Sequence, residues 1–422
     1  MTMPEVPAEP TGGPIELLDL STTRGRLTLA TVTLGSGVAL LDSTVVNIAL
    51  PTIGRDLGSS LAGLQWVING FTLSLASLIL VGGSLSDRFG RRRVYVIGVA
   101  WFGIASLLCA LSPTIELLII ARVLQGVGGA LLTPGGLAII QSSFRPEDRS
   151  SAIGTWAGVS GIAVAIGPLL GGVVVANLGW PWIFLINLPL CALVIGLAIA
   201  VVPESKDVEA ARAFDFAGAL TATLMLAVLT WLLTNAATAD RPLVLGGSVV
   251  AVLAMVGFVV VERRAGYPLV PFTLFSSRVF SAANLMTFLV YGALGWVMFA
   301  LVLQLQTTSG FTPLESGIAT LPVPLILLLG STRMAVLADR TGPRIPMTVG
   351  PLICAAGVLV LSAVGEGAGW VLVLGGMIVF GIGLSTLVAP LTATVLAAAP
   401  DRLAGSASGI NNAVARTGSL LA

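Results

Sequence analysis

The sequence contains no histidine, so the side chain that most often exchanges protons near neutral pH is missing. Any proton chemistry must then fall to carboxylates. Charge is scarce: 10% of the 422 residues are Asp, Glu, Lys or Arg, against about 25% in soluble domains. Only three cysteines occur, Cys109, Cys191 and Cys354, each inside an apolar stretch. Their spacing excludes a disulfide framework and suits no metal site. No glycine-lysine phosphate loop appears, which argues against nucleotide hydrolysis, and no cofactor or metal is expected. The net charge of +1 comes with basic residues scattered among short loops, so no nucleic-acid partner is expected. Residues 1–26 lack the basic start and cleavage site of a signal peptide and read as a disordered tail.

What remains is apolar: 56% of the chain is hydrophobic and 50 residues are glycine. Runs of about 18–25 apolar residues recur from residue 27 onward, the mark of a polytopic helical membrane protein. An outer-membrane barrel would instead alternate over about ten residues. The glycines suit helices packed closely in lipid. Helices are expected near 27–51, 62–84, 94–112, 115–140, 152–176, 180–202, 215–235, 242–261, 280–306, 315–337, 345–363 and 369–395. A thirteenth begins near 404, and the chain stops inside it. Nearly all basic residues fall in one set of alternate segments, with only Arg55 and Arg241 in the opposite set. The positive-inside rule then puts the N-terminus in the cytoplasm of a multi-pass inner-membrane protein.

An internal parallel repeat is visible. Asp87, Arg88, Gly90 and Arg92 of "GGSLSDRFGRRR" align at constant offset with Asp339, Arg340, Gly342 and Arg344 of "AVLADRTGPRIP". Further on, Gly126 and Gly128 match Gly381 and Gly383, and Gly154 matches Gly409. The offset leaves room for two extra spans between the copies. The expected architecture is all-α: a six-helix bundle (27–202), two inserted helices with linkers (203–279), and an incomplete C-terminal bundle (280–422).

Three charges lie inside spans: Asp42, Arg122 and Arg416, with Arg333 close enough to an end to snorkel. By the 1.5 Å rise, Asp42 sits about 22 Å along its helix from Leu27, past the bilayer centre. It can be a proton carrier, a cation-binding charge or a structural acid paired with an arginine. The second copy has no acid near Leu294, which favours a coupling or binding role, since intramembrane acids mark pathways. Arg122 shares a helical face with Gln125, Gly126 and Gly129. The repeat keeps the glycines but replaces Arg122 by Met377 and Gln125 by Phe380. Arg122 is thus read as functional in preference to a structural ion pair, with Arg122 and Gln125 both facing a polar cavity.

The loop after the second span can be a positive-inside anchor. Its recurrence favours a latch between helices, with Gly83, Asp87, Arg88, Gly90, Arg91 and Arg92 in one copy and Asp339 and Arg340 in the other. On the fifth span Gly154, Gly158, Gly161, Gly171 and Gly172 form a close-packing face, and Gly167-Pro168 bends the helix. In the second copy Arg416 stands where Gly161 does. Trp66, Asn69, Phe71, Trp156 and Trp296 can line a cavity or belong to an interfacial belt. Glu116, Glu262 and Glu315 sit at span ends, where a solvated acid is ordinary.

Taken in order, "LLDSTVVNIALP", "GGSLSDRFGRRR", "ARVLQGVGGALLTP", "GIAVAIGPLLGG" and "WPWIFLINLP" resemble the major facilitator superfamily. Within it the chain looks like the fourteen-helix drug:proton antiporter branch (EmrB/QacA subfamily), over residues 27–422. The resemblance implies a proton-coupled antiporter exporting drug-like or metabolite substrates, with no enzymatic activity. It implies proton coupling at Asp42 and Arg122, and an antiporter motif at Gly161, Gly167, Pro168, Gly171 and Gly172. The expected partners are a small molecule, protons and the lipid bilayer, around a monomer. Two alternatives stay open: a dedicated exporter of one metabolite, and an inactive truncated transporter, since the family has a complete thirteenth span and a fourteenth.

Overall fold

A computed structural model describes residues 17–206, 216–236, 239–266, 268, 270–367, 369–400 and 404–421, apart from a few helical side chains, those of Asp87 and Asp339 among them. The described chain is helical throughout: α1 Thr23–Asp56, α2 Leu61–Phe89, α3 Arg91–Ala110, α4 Ile115–Ser143, α5 Pro146–Leu178, α6 Trp182–Leu185 and α7 Asn187–Val201. It continues with α8 Phe216–Asn235, α9 Arg241–Arg264, α10 Arg278–Thr307, α11 Pro313–Thr320, α12 Pro322–Thr341, α13 Arg344–Ser362, α14 Trp370–Ala397 and α15 Ala404–Leu421. Twelve helices among the described residues are long and apolar enough to cross a membrane. α15 falls at the expected thirteenth place.

Local chemistry sets these boundaries. Thr22, Ser60 and Thr114 cap α1, α2 and α4 by accepting backbone N–H bonds, and Thr312 with Glu315 forms a capping box at α11. Two expected spans prove to be broken. Span 180–202 becomes α6 and α7, parting at Ile186, because Pro189 has no N–H for the Leu185 carbonyl. Span 315–337 becomes α11 and α12, parting at Leu321, directly before Pro322. The expected tail is also shorter. Leu18 bridges Phe144, Arg145 pairs with Asp19 at 2.8 Å, and the Leu20 N–H donates to Asp148. The hydroxyl and N–H of Ser21, with Arg145 nearby, hold the Asp19 carboxyl below its usual range. Residues 1–16 lie outside the described residues.

Buried apolar residues form four clusters. Two draw on α1–α7, with Phe299 of α10 joining one of them, and two draw on α10–α15 and the short turn Phe272–Ser276. α8 packs against α2, α9 and α15. α9 leans on α8, and its Leu253, 64% exposed, faces outward as a lipid-facing residue does. At one end α1 meets α10, where Gln306 donates to the Ile48 carbonyl at 2.9 Å, and α5 meets α11.

The aligned segments adopt the same geometry. Gly90 and Gly342 end α2 and α12 with positive φ, 109° and 82°. A β-carbon on Gly98 of α3 would lie 3.2 Å from the Gly128 carbonyl of α4, and one on Gly350 of α13 would lie 3.0 Å from the Gly383 carbonyl of α14. Both crossings therefore depend on the missing side chain. Gly342→Ala has open space around it and is expected to cost about 1–3 kcal/mol for backbone strain alone. Gly90→Ala also meets the Glu204 carboxylate at 2.7 Å and should lower the melting midpoint in detergent further.

Glu262 differs from its expected solvated setting. It is 1% exposed, because the chain after α9 folds back and the Val270 N–H donates to its carboxylate at 3.1 Å.

Candidate functional site

α1 carries Asp42 into the space between α2, α3, α4 and α7, where its side chain has no exposure. Arg122 of α4 meets it in a 2.6 Å ion pair, also fully buried. The other carboxylate oxygen, Oδ1, accepts from Gln125 Nε2 at 3.0 Å and Asn187 Nδ2 at 2.9 Å. Both amides also reach the Ser106 hydroxyl, at 2.8 and 3.3 Å. The Arg122 Nε donates to the Val67 carbonyl at 3.1 Å, and another nitrogen donates to Gln125 Oε1. The guanidinium lies 4.3 Å from the Phe71 ring centroid. A buried ion pair this fully bonded avoids much of the desolvation penalty that isolated charges suffer.

Asp42 and Arg122, each read as functional because the repeat gives it no charged counterpart, are in direct contact. Arg122 and Gln125 sit elsewhere than expected. They are fully buried in the Asp42 network and absent from the cavity wall, because the helical face they share turns toward α1 and α3. Ser106 and Asn187 escaped the sequence reading. Asn187 had one available signal, a lone amide in the apolar "IFLINLP" directly after a helix break.

Beside this network lies a cavity of about 490 Å³ between α1 and α2 on one side and α10 and α15 on the other. Ser43, Thr44 and Asn47 reach it from α1, and Asn69 and Phe71 from α2. Trp296 lines it too. Trp66 is half-buried but outside the wall, and Trp156 instead donates to the Ser36 hydroxyl at 3.0 Å. Tyr291, Asn411 and Arg416 are among the further polar residues of the wall; of the three, only Arg416 had stood out in the sequence, as an intramembrane charge. Among the described residues no cluster suited to a metal occurs.

The glycine face of α5 serves two neighbours. A β-carbon on Gly167 would strike the Thr44 hydroxyl, and one on Gly171 would lie 3.1 Å from the Val45 carbonyl, two and three residues along from Asp42. On the other side Gly172 would meet the Leu314 Cα at 2.6 Å, Pro168 lies against Gly317, and Gly161 faces Leu328 at 3.6 Å.

The loop between α2 and α3 is tied to the end of α7. Arg92 lies 3.8 Å from Glu204 and also donates to the Val202 carbonyl, and the Arg91 N–H donates to the Ser205 carbonyl. Gly83 sits beside Pro134, Arg88 stacks on Phe89, and Arg340 is exposed. The side chains of Asp87 and Asp339 lie outside the described residues.

The Major Facilitator Superfamily model matches residues 32–422. A tetracenomycin C resistance and export protein of Streptomyces glaucescens is 36% identical over 400 residues, 93% of this chain and 74% of the relative. A multidrug resistance protein, Stp, of Mycobacterium tuberculosis is 36% identical over 408 residues, 94% of this chain and 74% of the relative. Among solved structures, a peptide transporter crystallised with sulfate superposes with a TM-score of 0.69 at 14% identity. That superposition covers 93% of this chain and 87% of the other. With a family model over most of its length and twelve membrane-length helices among the described residues, this chain belongs to the Major Facilitator Superfamily and is a multi-pass transporter of small molecules, not an enzyme.

Proposed function

We propose that the protein exports drug-like or antibiotic molecules across the cytoplasmic membrane in exchange for protons. Asp42 is the proton-carrying acid and Arg122 its switchable partner. The observation that carries this reading is the buried Asp42–Arg122 pair, which lies behind Phe71 from the cavity and has no counterpart in the second half. There Met377 and Phe380 occupy the matching places in an apolar core. The names of the relatives, resistance and export proteins, support the direction and the class of cargo.

Protonation of Asp42 removes its charge while leaving Oδ1 able to accept from Gln125 and Asn187. Arg122 then loses its counter-charge but keeps Gln125 Oε1, the Val67 carbonyl and the Phe71 ring. The equilibrium between two arrangements of the helices shifts with that one proton.

The frame for this motion is a six-helix bundle from α1–α7 facing the helices from α10 onward, with α8 and α9 inserted, as in the fourteen-helix branch. The N-terminus is cytoplasmic. The end where Gln306 meets Ile48 and α5 meets α11 is then the outer one, closed in this arrangement, and the α2–α3 loop is a cytoplasmic latch. Each proton moving inward supplies about 2.3 kcal/mol per 100 mV.

The test is a panel of antibiotics offered to proteoliposomes with an imposed pH gradient. Gradient-driven extrusion of at least one compound, collapsing with a protonophore, is the expected result. Extrusion indifferent to the gradient would remove the proton from the mechanism.

A further inference from the structure

We propose that the cavity selects anionic aromatic substrates, carboxylates or phenolates attached to fused or single rings, with Arg416 as the counter-charge. This rests on the efflux reading above and names its cargo.

Arg416 stands about 18 Å along α15 from Ala404, close to the middle of a hydrocarbon core about 30 Å thick. A cation at that depth is costly and marks a pathway by default. It is the only formally charged side chain among the described residues that line the cavity. Asp42, the nearest intramembrane acid in the reading above, is sealed behind Phe71 and committed to Arg122. Arg92–Glu204, Arg122–Asp42 and Arg145–Asp19 are ion pairs among the described residues, and Arg416 belongs to none of them. The wall offers a positive charge with no acid to balance it, and a substrate anion can supply the balance.

Arg416 is not needed as glue between α10 and α15. That seam is closed by small residues and amides. Gly418 lies against the Phe288 carbonyl, Gly295 would meet the Ser419 carbonyl at 3.1 Å, and Asn411 donates to Asn284 and Thr287 at 3.2 and 2.9 Å. The matching position in the first half is Gly161, which packs without any charge.

The neighbours of Arg416 fit an acid on a ring. Tyr291 lines the same wall. Trp296 and Phe299 give aromatic surface on α10, with Phe71 contributing from α2. A guanidinium can grip a carboxylate through two parallel bonds, which an ammonium-bearing substrate cannot reproduce. An exported monoanion exchanged for one proton moves two charges per cycle, so such cargo also responds more steeply to membrane potential than a neutral molecule does.

The experiment measures equilibrium binding to the purified full chain, without any gradient, of three matched probes: anthracene carboxylate, its methyl ester and aminomethylanthracene. The carboxylate is expected to bind at least about tenfold tighter than the amine, the ester falling between. Arg416→Gln should bring carboxylate and amine within about twofold, and Arg416→Lys should keep the order. An amine that binds as tightly as the carboxylate to the unaltered protein would overturn the proposal, whatever the variants do. So would a preference that survives Arg416→Gln. Anion preference together with extrusion indifferent to the pH gradient would defeat the proton-exchange reading and leave this one standing. Gradient-driven extrusion with amine preference would do the reverse.

Discussion

Asp42→Asn inserts into the membrane but loses all pH-driven extrusion, falling to the level of vesicles without protein. Asparagine keeps the shape and an oxygen able to accept from Gln125 and Asn187, so the local fold has a neutral substitute for the protonated acid. What it cannot do is cycle. Arg122 is left permanently without its counter-charge, and breaking one side of a buried pair costs about 3–5 kcal/mol. The bonds from Arg122 to Gln125 and Val67 offset part of this. The melting midpoint in detergent should therefore fall, while the double variant Asp42→Asn with Arg122→Gln recovers much of it. Recovery of stability without recovery of extrusion separates coupling from folding. Undiminished gradient-driven extrusion in Asp42→Asn would sink the coupling role.

Gly317→Val is expected to have the second large effect, by wedging α11 away from α5. A β-carbon on Gly317 would strike the Pro168 carbonyl, and at the same seam one on Gly172 would lie 2.6 Å from the Leu314 Cα, so the neighbours are backbone and cannot swing aside. Overpacking of this kind costs about 1–3 kcal/mol. At about 1.4 kcal/mol per tenfold, that cost alone can invert the balance between closed and open outer ends. A cysteine pair replacing Ile48 and Gln306, introduced after the three native cysteines are removed, should cross-link in the parent. In Gly317→Val it should not, and extrusion should drop in parallel. Gly161→Val is the control, since its β-carbon meets only the Leu328 side chain at 3.6 Å. Equal cross-linking in Gly317→Val and the parent would show that this contact does not set the outer closure.

Much of this was legible beforehand because membranes impose few choices. Long apolar runs and scattered arginines gave the helices in order, and the repeat matched Gly128 to Gly383, while their partners across the crossings, Gly98 and Gly350, came only with the structure. The two intramembrane charges were visible as costly, and their asymmetry hinted at shared function. Their actual contact depends on how α1 and α4 rotate about their axes, which a single chain pattern leaves undetermined. The same rotation moved Gln125 from the expected cavity into the ion-pair network. Asn187 needed the break before Pro189 to aim it inward, and Glu262 needed a fold-back of the chain eight residues on. These are tertiary events, with no periodicity to announce them.

Phe71 divides the interior: its ring borders the cavity while the Arg122 guanidinium rests on it from behind. The consequence is evolutionary modularity. Under the proposed exchange, substitutions on α10 and α15 retune which compounds are accepted while the Asp42–Arg122 pair on α1 and α4 stays unchanged. Inheritance of the energy source and diversification of the cargo would then proceed separately, and chimaeras that exchange α10 and α15 between relatives would show redirected specificity.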